Sequence, residues 1–332
     1  MTICPVAAAA PLTPLLTGPR TTGSVLAVFS AAAILGVTPA DGTGPRIVSL
    51  LSRQASGVPN GVRLPMSAAD APFAALQPGT PATVGAREIV LGDAVYRLAR
   101  TWHTAVPAIR PGSSALETVA GRLAQVQLGV PTDRVATLAA GLVVGDPDPA
   151  VRRLIGLGSG LTPGGDDLLA GLLVGLRASG KAVLLQQVRH AVGSDWAATA
   201  ERTTSISVDL LRLAAAGHAS TETLALLTAI HRTPPGAGHA YSENPRGAAH
   251  LSAAQLGGPR RGRHHGPLHA AIDKLLAVGH TSGSDLATGL LMGLRPIRRV
   301  PATGRPPGLP VQQSAGSTLI DAPLRNNGGM AR

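Results

Sequence analysis

Asp166 and Asp167 stand side by side at the end of a glycine-rich run, and 118 positions further on Asp285 repeats the second of them. The first run reads Gly158-Ser-Gly-Leu-Thr-Pro-Gly-Gly-Asp-Asp-Leu-Leu-Ala-Gly-Leu-Leu-Val-Gly-Leu-Arg177. The second reads Gly279-His-Thr-Ser-Gly-Ser-Asp-Leu-Ala-Thr-Gly-Leu-Leu-Met-Gly-Leu-Arg295. Aligned without gaps, 165–177 and 283–295 share nine of thirteen residues, which marks a duplication. A glycine loop that opens into a helix offers unpaired backbone N–H groups at the positive end of the helix dipole, which suits a phosphate, carbamoyl or carboxylate group.

In this reading Gly160, Gly164, Gly165 and Gly283 let the backbone wrap a ligand, while Thr162, Thr281 and Ser282 add hydroxyl donors. His280 adds an imidazole, a group suited to acid/base chemistry. Asp167 and its repeat Asp285 suit a structural role, each capping its helix or bonding the opposite loop. Asp166 faces Ser284 in the alignment, is therefore not duplicated, and is the better candidate for acid/base chemistry. Mg²⁺ at the Asp166–Asp167 pair stays open as an alternative to no metal at all. A third cluster, Glu201-Arg202-Thr203-Thr204-Ser205-Ile206-Ser207, brings hydroxyls and one cation to an otherwise Ala/Leu-rich segment, and Arg202 could balance an anion.

The elements that must position these groups differ between the two halves of the chain. From Thr22 to Ala105 short β-type runs alternate with turns, at 25–30, 46–51, 61–66, 82–84, 88–91 and 94–98, with Gly92-Asp93 as a hairpin signal. The fold class expected is α+β: a small antiparallel β-rich region over 22–112, preceded by a flexible N-terminus at 1–21. A mostly helical region over 113–295 follows and carries both Gly-Asp loops, and 296–332 reads as a disordered basic tail. Helices are expected at 116–128, 134–144, 148–157, 181–192, 195–216, 221–230 and 268–278, and 233–267 reads as an irregular insertion. Leu168–Leu176 has no polar side chain and belongs in a core. Gly171 and Gly175, like Gly289 and Gly293, lie four apart on one face, and each costs ~1 kcal/mol relative to Ala in a helix interior. Close packing of the two repeats against each other would offset that cost and bring the two loops together.

Bulk properties narrow the class. The chain has 332 residues and a net charge of +11, with 11 Lys/Arg against 4 Asp/Glu in 234–332. Aromatics are only 2%, so no stacking platform interleaves the arginines, and nucleic-acid binding is not the expected role. Cys4 is alone, and no apolar run reaches the ~20 residues of a membrane span, so a cytoplasmic location without membrane contact is expected. No P-loop lysine, dinucleotide fingerprint or Gly-x-Ser-x-Gly elbow occurs.

The stretch from Gly158 to Gly171, Thr203-Thr204-Ser205-Ile206-Ser207 and Gly279-His-Thr-Ser-Gly-Ser-Asp285, in that order behind a β-rich region, resemble the AllH-like family. That family is associated with oxamate carbamoyltransferase of allantoin (purine) breakdown, and the resemblance spans about residues 22–295. It implies a subunit that moves a carbamoyl group between oxalurate or oxamate and phosphate, with carbamoyl phosphate as product. A partner subunit resembling the FdrA family is implied, and a carbamate kinase would consume the product. On this reading Asp166, Asp167 and His280 are the candidate catalytic groups. Gly160, Thr162, Gly164, Gly165, Arg202, Thr203, Thr204, Ser205, Thr281, Ser282, Gly283 and Asp285 would bind the anionic substrate. The alternative is a non-catalytic subunit that binds an anion or assembles a complex in which partners do the chemistry.

Overall fold

The computed structural model describes residues 2–39, 44–234 and 266–296. Most of the 233–267 stretch and the tail beyond Pro296 therefore lie outside the described residues. The N-terminal half contains β1 (Thr2–Ala9), α1 (Thr13–Thr17), β2 (Thr21–Val28), β3 (Ala32–Val37), β4 (Arg46–Leu51), β5 (Gly61–Arg63), β6 (Pro81–Gly85), β7 (Glu88–Leu91) and β8 (Ala94–Trp102).

These strands close into a barrel in the order β1-β5-β4-β3-β2-β6-β7-β8, with β8 returning to β1. The pairings β1–β8 and β4–β5 are parallel and the others antiparallel. This corrects the expected small antiparallel sheet. The sheet is closed and mixed, and residues 2–9 are part of it, not a flexible leader. Closure removes the edge strands that an open sheet would expose. Val6, Ala8, Leu35, Val48, Leu50, Val62, Val84 and Ile89 fill its core together with Phe73, so aliphatic chains do the packing that aromatics do elsewhere. Pro5 is tolerated because β1 pairs with β5 only at Ala7 and Ala8, leaving Pro5 outside that ladder. The Gly92-Asp93 turn joins β7 to β8 with Leu91 opposite Ala94, as the dipeptide predicts.

The remaining described helices are α2 (Ser113–Leu123), α3 (Thr132–Val144), α4 (Asp148–Leu154), α5 (Gly164–Ala178), α6 (Ala182–Gly193), α7 (Trp196–Ala200), α8 (Ser205–Ala216), α9 (Thr221–Arg232), α10 (Pro267–Leu276) and α11 (Ser282–Leu294). At the centre α5 lies against α11 at backbone contact. A Cβ on Gly171 would stand 2.0 Å from the Leu286 carbonyl oxygen, and one on Gly289 1.9 Å from the Leu168 oxygen. Leu168 and Leu286 are themselves equivalent in the repeat, so the contact is reciprocal, as at a two-fold interface. Gly175 and Gly293 likewise meet each other's backbone. The same symmetry extends one helix back. Gly165 abuts the Leu154 carbonyl at the end of α4, and Gly283 the Leu275 carbonyl at the end of α10, each at 2.0 Å from a notional Cβ.

The expected helix over 195–216 is two helices. The chain breaks at Arg202–Thr203, and Thr204 caps α8 by accepting the Ser207 N–H at 3.1 Å. The hydroxyl cluster is thus a helix start, not the face of a continuous helix. Barrel and helices meet through α8 and α9. The Asp209 carboxylate accepts from Asn60 Nδ2 at 3.0 Å and Arg46 Nε at 3.2 Å, and Ser56 Oγ donates to Glu222 at 2.7 Å.

Candidate functional site

Packing α5 on α11 brings the two loops together, and the Thr162 and Ser282 hydroxyls lie 3.2 Å apart. Beneath them is a cavity of about 260 Å³. Its polar end is formed by Thr162, Asp166, Asp167, Ser207 and Ser282. Its body is apolar, lined by residues such as Ala170, Leu211, Ala214, Leu275 and Leu286. Ser56, Val58 and Pro59, from the segment between β4 and β5, close it on the barrel side together with His218 and Ser220.

Asp166 is a brace. Gly156 N–H donates to Oδ1 at 2.9 Å and the Thr203 hydroxyl donates to Oδ2. Burial raises its pKa, while the Thr203 and Gly156 bonds and the nearby Arg202 charge pull it back. Gly156 is needed there, since its φ is +73° and a Cβ would meet the Arg202 carbonyl oxygen at 1.9 Å. The expectation that Asp166 is the group open to ligand is therefore corrected, because both its oxygens are committed to protein donors. Asp166→Asn is expected to lower unfolding free energy by about 1–3 kcal/mol, because the amide keeps one accepting oxygen and its nitrogen cannot accept the other bond. Urea denaturation of the variant checks this, and unchanged stability would show the brace to be dispensable.

Asp167 is the opposite case. It is 7% exposed, and its Oδ2 is buried without a hydrogen-bond partner at the cavity wall. Burial pushes its carboxyl up to about 7; the Ser282 and Thr162 hydroxyls lower it, and the charges of Asp285 and Asp166 raise it. A carboxyl with that pKa exchanges a proton at neutral pH, as acid/base catalysis requires. Ser207 Oγ is also buried without a hydrogen-bond partner, close enough to Asp166 to lower its pKa but not bonded to it.

Asp285, the repeat of Asp167, is fully buried and fully used. The Gly129 N–H donates to its two oxygens at 3.0 and 3.1 Å, and the Val130 N–H donates to Oδ1 at 3.3 Å. Thr281 serves the same carboxylate. Gly164 is packed against it as well, with 2.8 Å from a notional Cβ to Asp285 Oδ2.

Further expectations change. Five of the helix-start N–H groups are already bonded: Gly165 to the Leu157 oxygen, Asp166 and Asp167 to Pro163, Gly283 to Val278, and Asp285 to Thr281. They do not form the open anion cradle that the glycines suggest. His280, Arg202, Gly160 and Ser205 are exposed and do not line the cavity. Thr203 and Thr204 act on protein atoms, Thr203 on Asp166 and Thr204 on the Leu161 carbonyl at 2.6 Å. Among the described residues no three His, Cys, Asp or Glu side chains converge as metal ligands.

Sequence reasoning also passes over His218. Its Nδ1 lies 3.0 Å from Thr104 Oγ1, and burial together with the Arg177 charge lowers its pKa. Its only sequence signal is its place after Gly217, a left-handed helix stop.

Among the described residues no helix is long and apolar enough to cross a membrane. No curated protein and no solved structure matches the chain. Residues 154–244 match the family model described as oxamate carbamoyltransferase subunit AllH. That segment holds the first loop, α5, Thr203–Ser207 and α8, which supply most of the polar end of the cavity and part of its apolar wall. By this match the segment that builds the polar end of the cavity is similar to the AllH family over a little more than a quarter of the chain.

Proposed function

We propose that the chain is a carbamoyl-handling subunit of an oxamate carbamoyltransferase, with the cavity under the two loops as its substrate site. The observation that carries this is Asp167, a carboxyl of pKa about 7 with one oxygen buried and unpartnered against the cavity. The cavity is of a size to hold a substrate of a few heavy atoms, and its apolar body excludes the water that would hydrolyse a carbamoyl phosphate.

In the reaction a phosphate oxygen attacks the ureido carbonyl carbon of oxalurate. The bond from that carbon to the oxamate nitrogen breaks, and the nitrogen takes up the proton that the phosphate carried. Asp167 is placed to relay that proton, and the Ser207 hydroxyl is the donor available to the carbonyl oxygen as charge develops on it. No Lys or Arg is among the described residues that line the cavity, so the charge of the phosphate must be met from outside them. This favours a division of labour in which a partner subunit, for which the FdrA-like family is the candidate, brings the phosphate.

The test is phosphorolysis of oxalurate, read as carbamoyl phosphate, with this chain alone and with its co-encoded partners. Activity is expected in the mixture and should fall by about 100-fold or more in Asp167→Asn. A mixture that yields no carbamoyl phosphate, or an Asp167→Asn variant with the unaltered rate, would overturn the proposal.

A further inference from the structure

The α5–α11 pair places Asp167 and Asp285 at equivalent positions of an internal two-fold repeat, since the reciprocal contacts of Gly171 with Leu286 and Gly289 with Leu168 fix the register. The surroundings of the two carboxylates differ in one respect. The turn after α2 delivers the Gly129 and Val130 N–H groups to Asp285, and both oxygens are used. Asp167 has the cavity beside it, and its Oδ2 has no donor. One half of the molecule thus displays with its own backbone what the other half lacks.

We infer that Asp167 selects its ligand by an edge carrying N–H donors, so that a primary carboxamide or ureido group enters amide-first and lies against this carboxylate as the Gly129–Val130 backbone lies against Asp285. This rests on the cavity being the substrate site proposed above, and it adds orientation and specificity. The amide end meets Asp167, and the rest of the ligand lies along the apolar body toward Ser56, His218 and Ser220. A carboxylate in place of the amide puts like charge against Asp167 and leaves its Oδ2 without a donor, which is the kind of mismatch that polar sites reject most strongly.

The experiment is calorimetric titration of the intact protein with oxamate and with oxalate, which differ in the replacement of one NH₂ by oxygen. At pH 8 oxamate is expected to bind about 100-fold more tightly than oxalate, and the ratio should collapse to within several-fold in Asp167→Asn. The preference should also shrink at pH 5.5, where Asp167 is protonated and no longer repels a carboxylate. Equal binding of the two ligands, the same preference in Asp167→Asn, or no binding of either at millimolar concentration overturns the inference. Oxamate-selective binding with no carbamoyl phosphate formed by the full mixture retires the transferase reading and leaves this one standing. Turnover without amide selectivity does the reverse.

Discussion

Gly289→Ala is expected to destabilise the fold by about 3 kcal/mol or more, although the same change in an isolated helix is favourable by about 1 kcal/mol. The new methyl would stand 1.9 Å from the Leu168 carbonyl oxygen, where real Cβ contacts are not found below 3.0 Å. The obstacle is a backbone atom inside a helix, so no side-chain rotation relieves it. The helices must separate by about 1 Å, and the contact of Gly175 with Gly293 is lost with it. Gly171→Ala meets the Leu286 oxygen at 2.0 Å and should behave alike, and the double variant should not fold. Gly121 in α2 is the control, because a Cβ there meets nothing within 4 Å, and Gly121→Ala should stabilise by about 0.5–1 kcal/mol. Guanidinium denaturation of the three single variants settles the matter. A Gly289→Ala protein as stable as Gly121→Ala would mean that the two helices are not at backbone contact.

That packing was legible because glycines at four-residue spacing weaken an apolar helix, and their repetition in a second helix points to a shared close contact. The barrel was less legible. Its seam is a parallel pairing of β1 with β8, between segments nearly a hundred positions apart, and nothing local in either announces the other. Residues 1–21 read as flexible, whereas Thr2–Ala9 forms β1 and Pro5 sits where β1 has no β5 neighbour. The error over the two aspartates is more instructive. Duplication copies a residue and its helix, but not what packs around them. Asp285 found two N–H donors in the turn at Gly129, a segment outside the repeat, and so became structural. Asp167 kept the same place on its helix and found a cavity. Asp166, unique in the alignment, was taken up by the loop it follows, because the first loop is longer. Eleven positions separate Leu154 from Gly165, against eight from Leu275 to Gly283, and the extra backbone includes a loop glycine at 156 whose N–H reaches back to Asp166.

The difference between the repeated aspartates should be measurable as stability of opposite sign. Asp167 has a native pKa of about 7 against 3.8 for the ordinary carboxyl, so the folded protein holds this proton more tightly than the unfolded chain. Its contribution is therefore most favourable below about pH 4, is lost as pH rises from about 4 to about 7, and is flat above that. At 1.36 kcal/mol per pKa unit the loss accumulated by pH 8 is about 4 kcal/mol, an upper figure because the loops can relax round the charge. Asp167→Asn keeps the shape and removes the charge, so at pH 8 it should be more stable than the unaltered protein by about 2–4 kcal/mol. That is roughly 2–4 °C in Tm per kcal/mol for a chain of this size, and the gain should vanish near pH 4. Asp285→Ala should instead lose about 2–4 kcal/mol at pH 8, because the Gly129 and Val130 N–H groups are left without their acceptor. Thermal unfolding of both variants from pH 4 to pH 8, each read as a difference from the unaltered protein, separates the two roles by the sign of the difference at pH 8. A carboxylate whose removal stabilises the fold while abolishing turnover is held in place by its chemistry and not by its packing. If Asp167→Asn were less stable at pH 8, Asp167 would be a structural acceptor like Asp285, and the cavity would lose its claim to be the substrate site.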